Sequence, residues 1–254
     1  MPGVRPVSVP ATEPVLVTDA QDFLKVPRTQ DTSLITGLIA AARQYAEDVT
    51  SRSLASKDYV MVMDAFPYYT DTVASQQAYP PSYYSLPRYS TTLWNYSQLI
   101  KLPKAPVTKV SKITYIGTDG YPHDLFPGVD FIVDYENENC RIFTLPGAFW
   151  PAVRYVANAV TIFFTAGYDP DPLKVLDIPV VISPTVLPDP PQELATQKVW
   201  VGVPQKVRLA ILMLVNHWYF NREPVVAGTA GSVPNSVDAL LASETIFDFS
   251  PTRG

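Results

Sequence analysis

The chain of 254 residues is long enough for one sizeable hydrophobic core or two smaller ones, and its 47% hydrophobic content is that of a globular protein. Charged residues make up only 17%, against roughly 25% in an average soluble domain, and 26 prolines and 15 tyrosines fill much of the shortfall, so part of the surface is predicted to be covered by something. A net charge of −5 without clustered Lys or Arg argues against nucleic-acid recognition, which needs a basic patch, although the wall of a channel that DNA slides past can be acidic. Cys140 is the only cysteine, and the opening residues lack the basic-then-apolar pattern of a signal peptide. Both point to synthesis and assembly in a reducing cytoplasm. The longest apolar run, 209–215, is far short of the ~20 residues a membrane span takes.

In chain order, residues 1–17 read as a Pro-rich N-terminal extension. Thr18, with Gln21 three residues on, opens a short helix over 18–26 that stops before Pro27. A second helix, 33–52, is capped among Asp31, Thr32 and Ser33. Leu34, Leu38, Ala41, Ala42, Tyr45 and Val49 recur at helical spacing as its core face, with Arg43, Gln44, Glu47 and Asp48 opposite.

From residue 58 the period changes to two. Short β-branched or aromatic runs over 58–64, 110–116, 130–134, 141–144 and 159–165 predict an antiparallel β-subdomain inserted over 57–168. Gly117-Thr118-Asp119-Gly120 and Glu136-Asn137-Glu138-Asn139 carry the turn chemistry for two hairpins. A Tyr-rich loop, 66–98, and a Pro-rich arm, 169–202, interrupt this plan and read as long extended segments. A long helix follows over 204–223, with Pro204 in its first turn and Pro224 ending it, then a short helix over 236–243 and a tail over 244–254. The fold class predicted is α+β: a small helical bundle made by 18–56 and 203–243, with the β-subdomain inserted.

The 204–223 helix is the informative element. Val207, Ala210, Ile211, Leu214, Val215, Trp218 and Tyr219 make its core stripe, yet Leu209, Leu212 and Met213 add apolar side chains on the other side. Three such side chains left in water forfeit roughly 1.5–3 kcal/mol each, so a second surface is needed over them. The β-subdomain and a neighbouring copy are the two candidates for that cover.

Catalytic patterns are missing: there is no Gly-rich phosphate loop, no Gly-x-Ser-x-Gly elbow and no Cys or His pair at metal-ligand spacing. His123 falls in a turn, His217 reads as structural beside Trp218, and Cys140 as a buried thiol. Asp134, Glu136 and Glu138 alternate as a calcium or paired-carboxylate site would, but the asparagines between them favour a solvated hairpin tip. Asp169, Asp171 and Asp177 read as loop residues. No enzyme activity, cofactor or metal is expected.

Two stretches resemble the head-tail connector (adaptor, or head-completion) family of tailed phages. The first comprises Val17-Thr18-Asp19-Ala20, Phe23-Leu24-Lys25-Val26, Asp31 and Leu38-Ile39-Ala40-Ala41-Ala42-Arg43-Gln44-Tyr45-Ala46-Glu47-Asp48-Val49-Thr50-Ser51-Arg52. The second is Val203-Pro204-Gln205-Lys206-Val207-Arg208-Leu209-Ala210-Ile211-Leu212-Met213-Leu214-Val215-Asn216-His217-Trp218-Tyr219-Phe220-Asn221-Arg222-Glu223. The middle, with Tyr115, Gly120, Tyr135, Arg141-Ile142 and 159–168, is similar to the β-insertion of the longer members, whereas the Tyr-rich loop and the Pro-rich arm depart from the pattern.

The resemblance implies a virion protein that forms a ring, typically a dodecamer, under the portal at the capsid vertex. Such a ring joins the capsid to the neck or tail and extends a channel through which genomic DNA passes without sequence-specific binding. It further implies contacts between copies at Arg43, Glu47, Arg208, Leu209, Leu212, Met213, Arg222 and Glu223. Phe247 and Phe249 become the portal anchor, and Ile178, Val181 and Trp200 the contact with the neck or tail protein. A carbohydrate- or receptor-binding module using the Tyr-rich loop is the competing expectation.

Overall fold

The computed structural model describes residues 3–10, 12–67, 99–137, 139–168, 202–221 and 235–246. It has an α+β fold with four described helices and eight strands: β1 (Gly3–Pro6), α1 (Val17–Leu24), α2 (Thr32–Thr50), β2 (Lys57–Met63), β3 (Ile100–Lys101), β4 (Val107–Ile116), β5 (Pro122–Leu125), β6 (Phe131–Asp134), β7 (Arg141–Thr144), β8 (Val160–Ala166), α3 (Gln205–Phe220) and α4 (Asn235–Ala242). The helices enclose one apolar core, centred on Ile35, Ile39, Ile211, Leu214 and Leu241. Two antiparallel sheets, ordered β1-β2-β8-β4-β5 and β3-β7-β6, enclose another around Phe131, Ile142, Ile162 and Phe164.

Several local features differ from the sequence reading. Helix α1 starts at Val17 with Leu16 as its N-cap and no side-chain cap, so Thr18 does not cap it. Gln21 is instead buried, and its Nε2 donates to the carbonyls of Arg28 and Gln30, which folds the α1–α2 turn. The buried face of α2 is Ile35, Ile39, Ala42, Arg43, Ala46, Glu47 and Thr50, and Leu34 is exposed. That face is rotated from the apolar stripe by one residue, about 100° on a helix, because the polar pair Arg43 and Glu47 points inward. Pro204 is the N-cap of α3 rather than its first helical residue. His123 lies in β5, opposite Tyr115, not in a turn.

The opening segment is also more than an extension. Gly3–Pro6 forms an edge strand on β2. Val7 N–H donates to Asp58 O, and Arg5↔Val60 and Gly3↔Val62 continue that pairing at every second residue, so the outward-facing groups of this edge belong to Val4 and Pro6. At the other edge Gly117 N–H donates to Tyr121 O, and Tyr115↔His123 and Ile113↔Leu125 continue the pairing. Pro122 and Asp124 therefore face outward there. A proline at an outward position offers no N–H to an incoming strand, so both ends of the five-stranded sheet are blunted.

Candidate functional site

Helix α3 packs on α2 and α4, and more lightly on α1. These helices, not the β-subdomain, bury Val207, Ala210, Ile211, Leu214, Val215 and Tyr219. Leu212 and Met213 are half-buried against the same core, so the chain itself provides part of the cover that the sequence left open. What remains in water is narrower. Leu209 is 42% exposed and Phe220 64% exposed, and they lie eleven positions apart, about three helical turns, on one face. Phe220 was missed in the sequence because it sits at the helix end, outside the stripe counted from Leu209; its spacing was the available signal. Leu16 and Phe23, at the ends of α1, are exposed as well.

Two of the charged residues expected between copies, Arg43 and Glu47, lie inside the chain. Arg43 and Glu47 are only 4% and 6% exposed. Arg43 Nε donates to Glu13 Oε2 at 2.7 Å and its Nη1 to Glu47 Oε2 at 2.9 Å. Lys57 Nζ donates to both Glu47 oxygens at 2.9 and 2.8 Å, and the Leu54 N–H to Oε1 at 3.0 Å. Burial alone lowers the Arg43 pKa, but the hydrogen bonds and charges of Glu13 and Glu47 outweigh it and raise the guanidinium above its ordinary value. The cluster joins the segment before α1, the end of α2 and the start of β2. It is an internal junction between the two cores.

Arg208 is also engaged within the chain: its Nη2 donates to Asp19 Oδ2 at 3.0 Å, tying α3 to α1. Arg52 Nε donates to Glu244 O at 2.7 Å and its Nη1 to the Tyr168 hydroxyl at 3.4 Å. Ile246 N–H donates to Thr50 O, and Thr245 Oγ1 to the carbonyls of Val49 and Leu241. The first three residues assigned to the tail are thus held on the end of α2.

On the β side, the Asp134 carboxylate is spent on its own hairpin. Asp134 accepts from Arg141 Nη2 at 2.6 Å, from Asn137 Nδ2 and from the Glu136 N–H. Partial burial pushes the Asp134 carboxyl up, but those hydrogen bonds prevail and hold it below the usual carboxylate range. Burial, with Asp134 nearby, pushes the Cys140 thiol up to about 12. The β4–β5 tip packs on residues 153–156 through the Gly117↔Val153 bridge and the Arg154 N–H to Ile116 O, and it displays Tyr121 and Tyr155 to solvent. Neither tyrosine stood out in the sequence, because each sits in a turn between strands without periodicity.

Arg222, Glu223, Phe247, Phe249, Ile178, Val181 and Trp200 lie outside the described residues, as does the Tyr-rich loop beyond Pro67. Among the described residues, no three His, Cys, Asp or Glu side chains converge as a metal site would require. No helix among them is long and apolar enough to cross a membrane.

The arrangement defines a two-core α+β protein whose helical bundle carries an apolar outer face and whose five-stranded sheet ends on blunted edges. Solved structures share this fold over nearly the whole chain. The neck of an empty gene transfer agent (GTA) particle computed with C6 symmetry contains a chain 18% identical, with a TM-score of 0.64, covering 99% of this chain and 100% of that one. A chain in the virion of a native GTA particle is 17% identical, with a TM-score of 0.62 and 99% coverage of both. One in the neck of a native GTA particle computed with C12 symmetry is 18% identical, with a TM-score of 0.60, covering 99% of this chain and 100% of that one. No family model matches the sequence, and no curated protein matches it.

Proposed function

We propose that the chain is a non-catalytic structural protein of a phage-like virion: a head-tail connector that forms a closed ring, of twelve copies by the family resemblance, between the portal and the neck or tail below. The observation that carries this reading is the fold shared, over 99% of the chain, with components of particle necks computed with C6 and C12 symmetry. A ring of this kind needs a head-to-tail contact that closes by rotation, and many modest contacts then make a firm joint. The exposed Leu209 and Phe220 face of α3, flanked by Leu212 and Met213, supplies apolar surface for the contact between copies. Arg222 and Glu223 set registry at its end rather than strength, as exposed ion pairs do. Phe247 and Phe249 reach the portal, Ile178, Val181 and Trp200 meet the neighbour below, and DNA passes through the ring without base recognition.

Sedimentation and negative-stain imaging of the purified chain with purified portal test this. The wild type is expected to join the portal as a ring. Leu209→Asp with Phe220→Asp is expected to keep the same circular dichroism and lose the ring. Equal assembly by the folded double variant removes the α3 face from the joint, and failure of the wild type to bind portal removes the connector reading.

A further inference from the structure

Strand β1 belongs to the five-stranded sheet yet brings almost nothing to its core. Gly3, Arg5 and Pro6 are exposed, and Val4 alone is part-buried against the β core. The strand is held by its main-chain pairing with β2, extended by Val7 N–H on Asp58 O and by the Asp58 N–H on Ser8 Oγ. Pairing of this kind needs an edge and a register, and every copy of the chain offers the same ones.

The connection from β1 to the body is bare. Val9, Pro10 and Thr12 make no hydrogen bond among the described residues, and Val7 and Val9 are 55% and 86% exposed. The chain is fixed again at Glu13, on Arg43, and at Val15, which is 1% exposed in the helical core. Residues 8–12 thus form a hinge that extends up to about 17 Å. With so few buried contacts, β1 sits at the low end of local stability. The acceptor is better anchored than the donor. Strand β2 runs seven residues without proline, buries Tyr59, Val60 and Met61, and pairs with β8 along its whole length, so its edge stays in place when β1 leaves.

We propose that β1 is an exchangeable arm: in the assembled ring it pairs with β2 of the next copy, in the register it keeps within its own chain. Donor and acceptor are different surfaces, so each copy gives one strand and takes one, which is the polarity a head-to-tail ring requires. Pro6 stays on the outer side of the exchanged strand, so the sheet still ends on a blunted edge. The same contacts form within and between copies, and the exchange is therefore favoured where neighbours are held close on the ring rather than in dilute solution. The inference rests on the ring reading and adds a second contact to that of α3.

Disulfide trapping tests it. Arg5 and Val60 face each other across the pair, and facing positions of an antiparallel ladder lie within disulfide reach. Arg5→Cys with Val60→Cys is briefly oxidised, alkylated and run on non-reducing electrophoresis, with negative-stain imaging of the same samples to count rings. The free double variant is expected to link within the chain and run as a monomer. Assembled on the portal, it is expected to link from copy to copy, with about a tenfold rise in covalent multimers. A mixture of the two single variants fixes the sense of the link, because only exchange between copies joins Arg5→Cys to Val60→Cys. Rings that yield monomer alone, or a mixture that stays unlinked on the ring, overturn the exchange and leave the connector reading standing. Failure of the wild type to form rings removes both.

Discussion

In the helical core, apolar side chains run out to the surface, with Leu209 and Phe220 exposed along α3, whereas the five-stranded sheet ends on strands whose outward positions include Pro6 and Pro122. Both regions bury a full core of their own, so the contrast is not one of folding quality. An edge strand invites another strand through its backbone, indifferently to partner. A helix face admits a partner only through side-chain shape and chemistry, which is selective. Among the described residues, the five-stranded sheet thus closes its indiscriminate edges while α3 leaves a discriminating face open. The two regions meet at Glu47, whose carboxylate holds Arg43, Lys57 and the Leu54 N–H.

That contrast can be broken most severely at the junction. Glu47→Ala strands the buried Lys57 ammonium and leaves Arg43 with Glu13 alone, and breaking a buried pair from one side costs about 3–5 kcal/mol. Urea unfolding is expected to show that loss, and to separate into two transitions as the cores lose their tie. Next in size, Ile211→Ala and Ile142→Ala each open a cavity in one core and are expected to cost about 2–5 kcal/mol. Trp150 packs with Phe131 and Phe66 in the β core and Trp218 against the helical core, so tryptophan fluorescence is expected to follow both losses.

A gentler change sharpens the edge argument. Pro6→Thr combined with Pro122→Thr restores outward N–H groups and is expected to leave thermal stability within about 0.5 kcal/mol while sedimentation shows added, non-specific association. Unchanged sedimentation would mean that the edges are protected by something other than the prolines. The smallest effect concerns Cys140. Its thiol stays protonated up to about 12, so iodoacetamide at pH 8 is expected to label the unfolded chain and spare the native one. Because the folded value is raised, its contribution to stability is whole below the ordinary thiol range near ~8.5 and is lost as pH rises from there towards the folded value.

The periodic elements were legible in the sequence. The stripe of Val207, Ala210, Ile211 and Leu214 gave α3 its buried face, and the Gly117–Gly120 and Glu136–Asn139 turns joined β4 to β5 and β6 to β7, because local spacing determines both. Illegible were the features that depend on long-range partners. Arg43 and Glu47 read as a solvent face until Glu13 and Lys57 were brought to them from 30 and 10 residues away. Gly3–Pro6 carries too few alternating residues to announce a strand, and only β2 makes it one. Trp150 and Phe66 lie far apart in sequence with no shared period, yet their rings stack at 4.7 Å.

Electron microscopy of the assembled particle, at a resolution that places side chains on α3, bears most directly on the joint-forming role. The account predicts copies arranged in a closed ring next to the portal, with Leu209 and Phe220 of each copy covered by the next. Copies seated singly in the particle, with that face of α3 open to water, would contradict it.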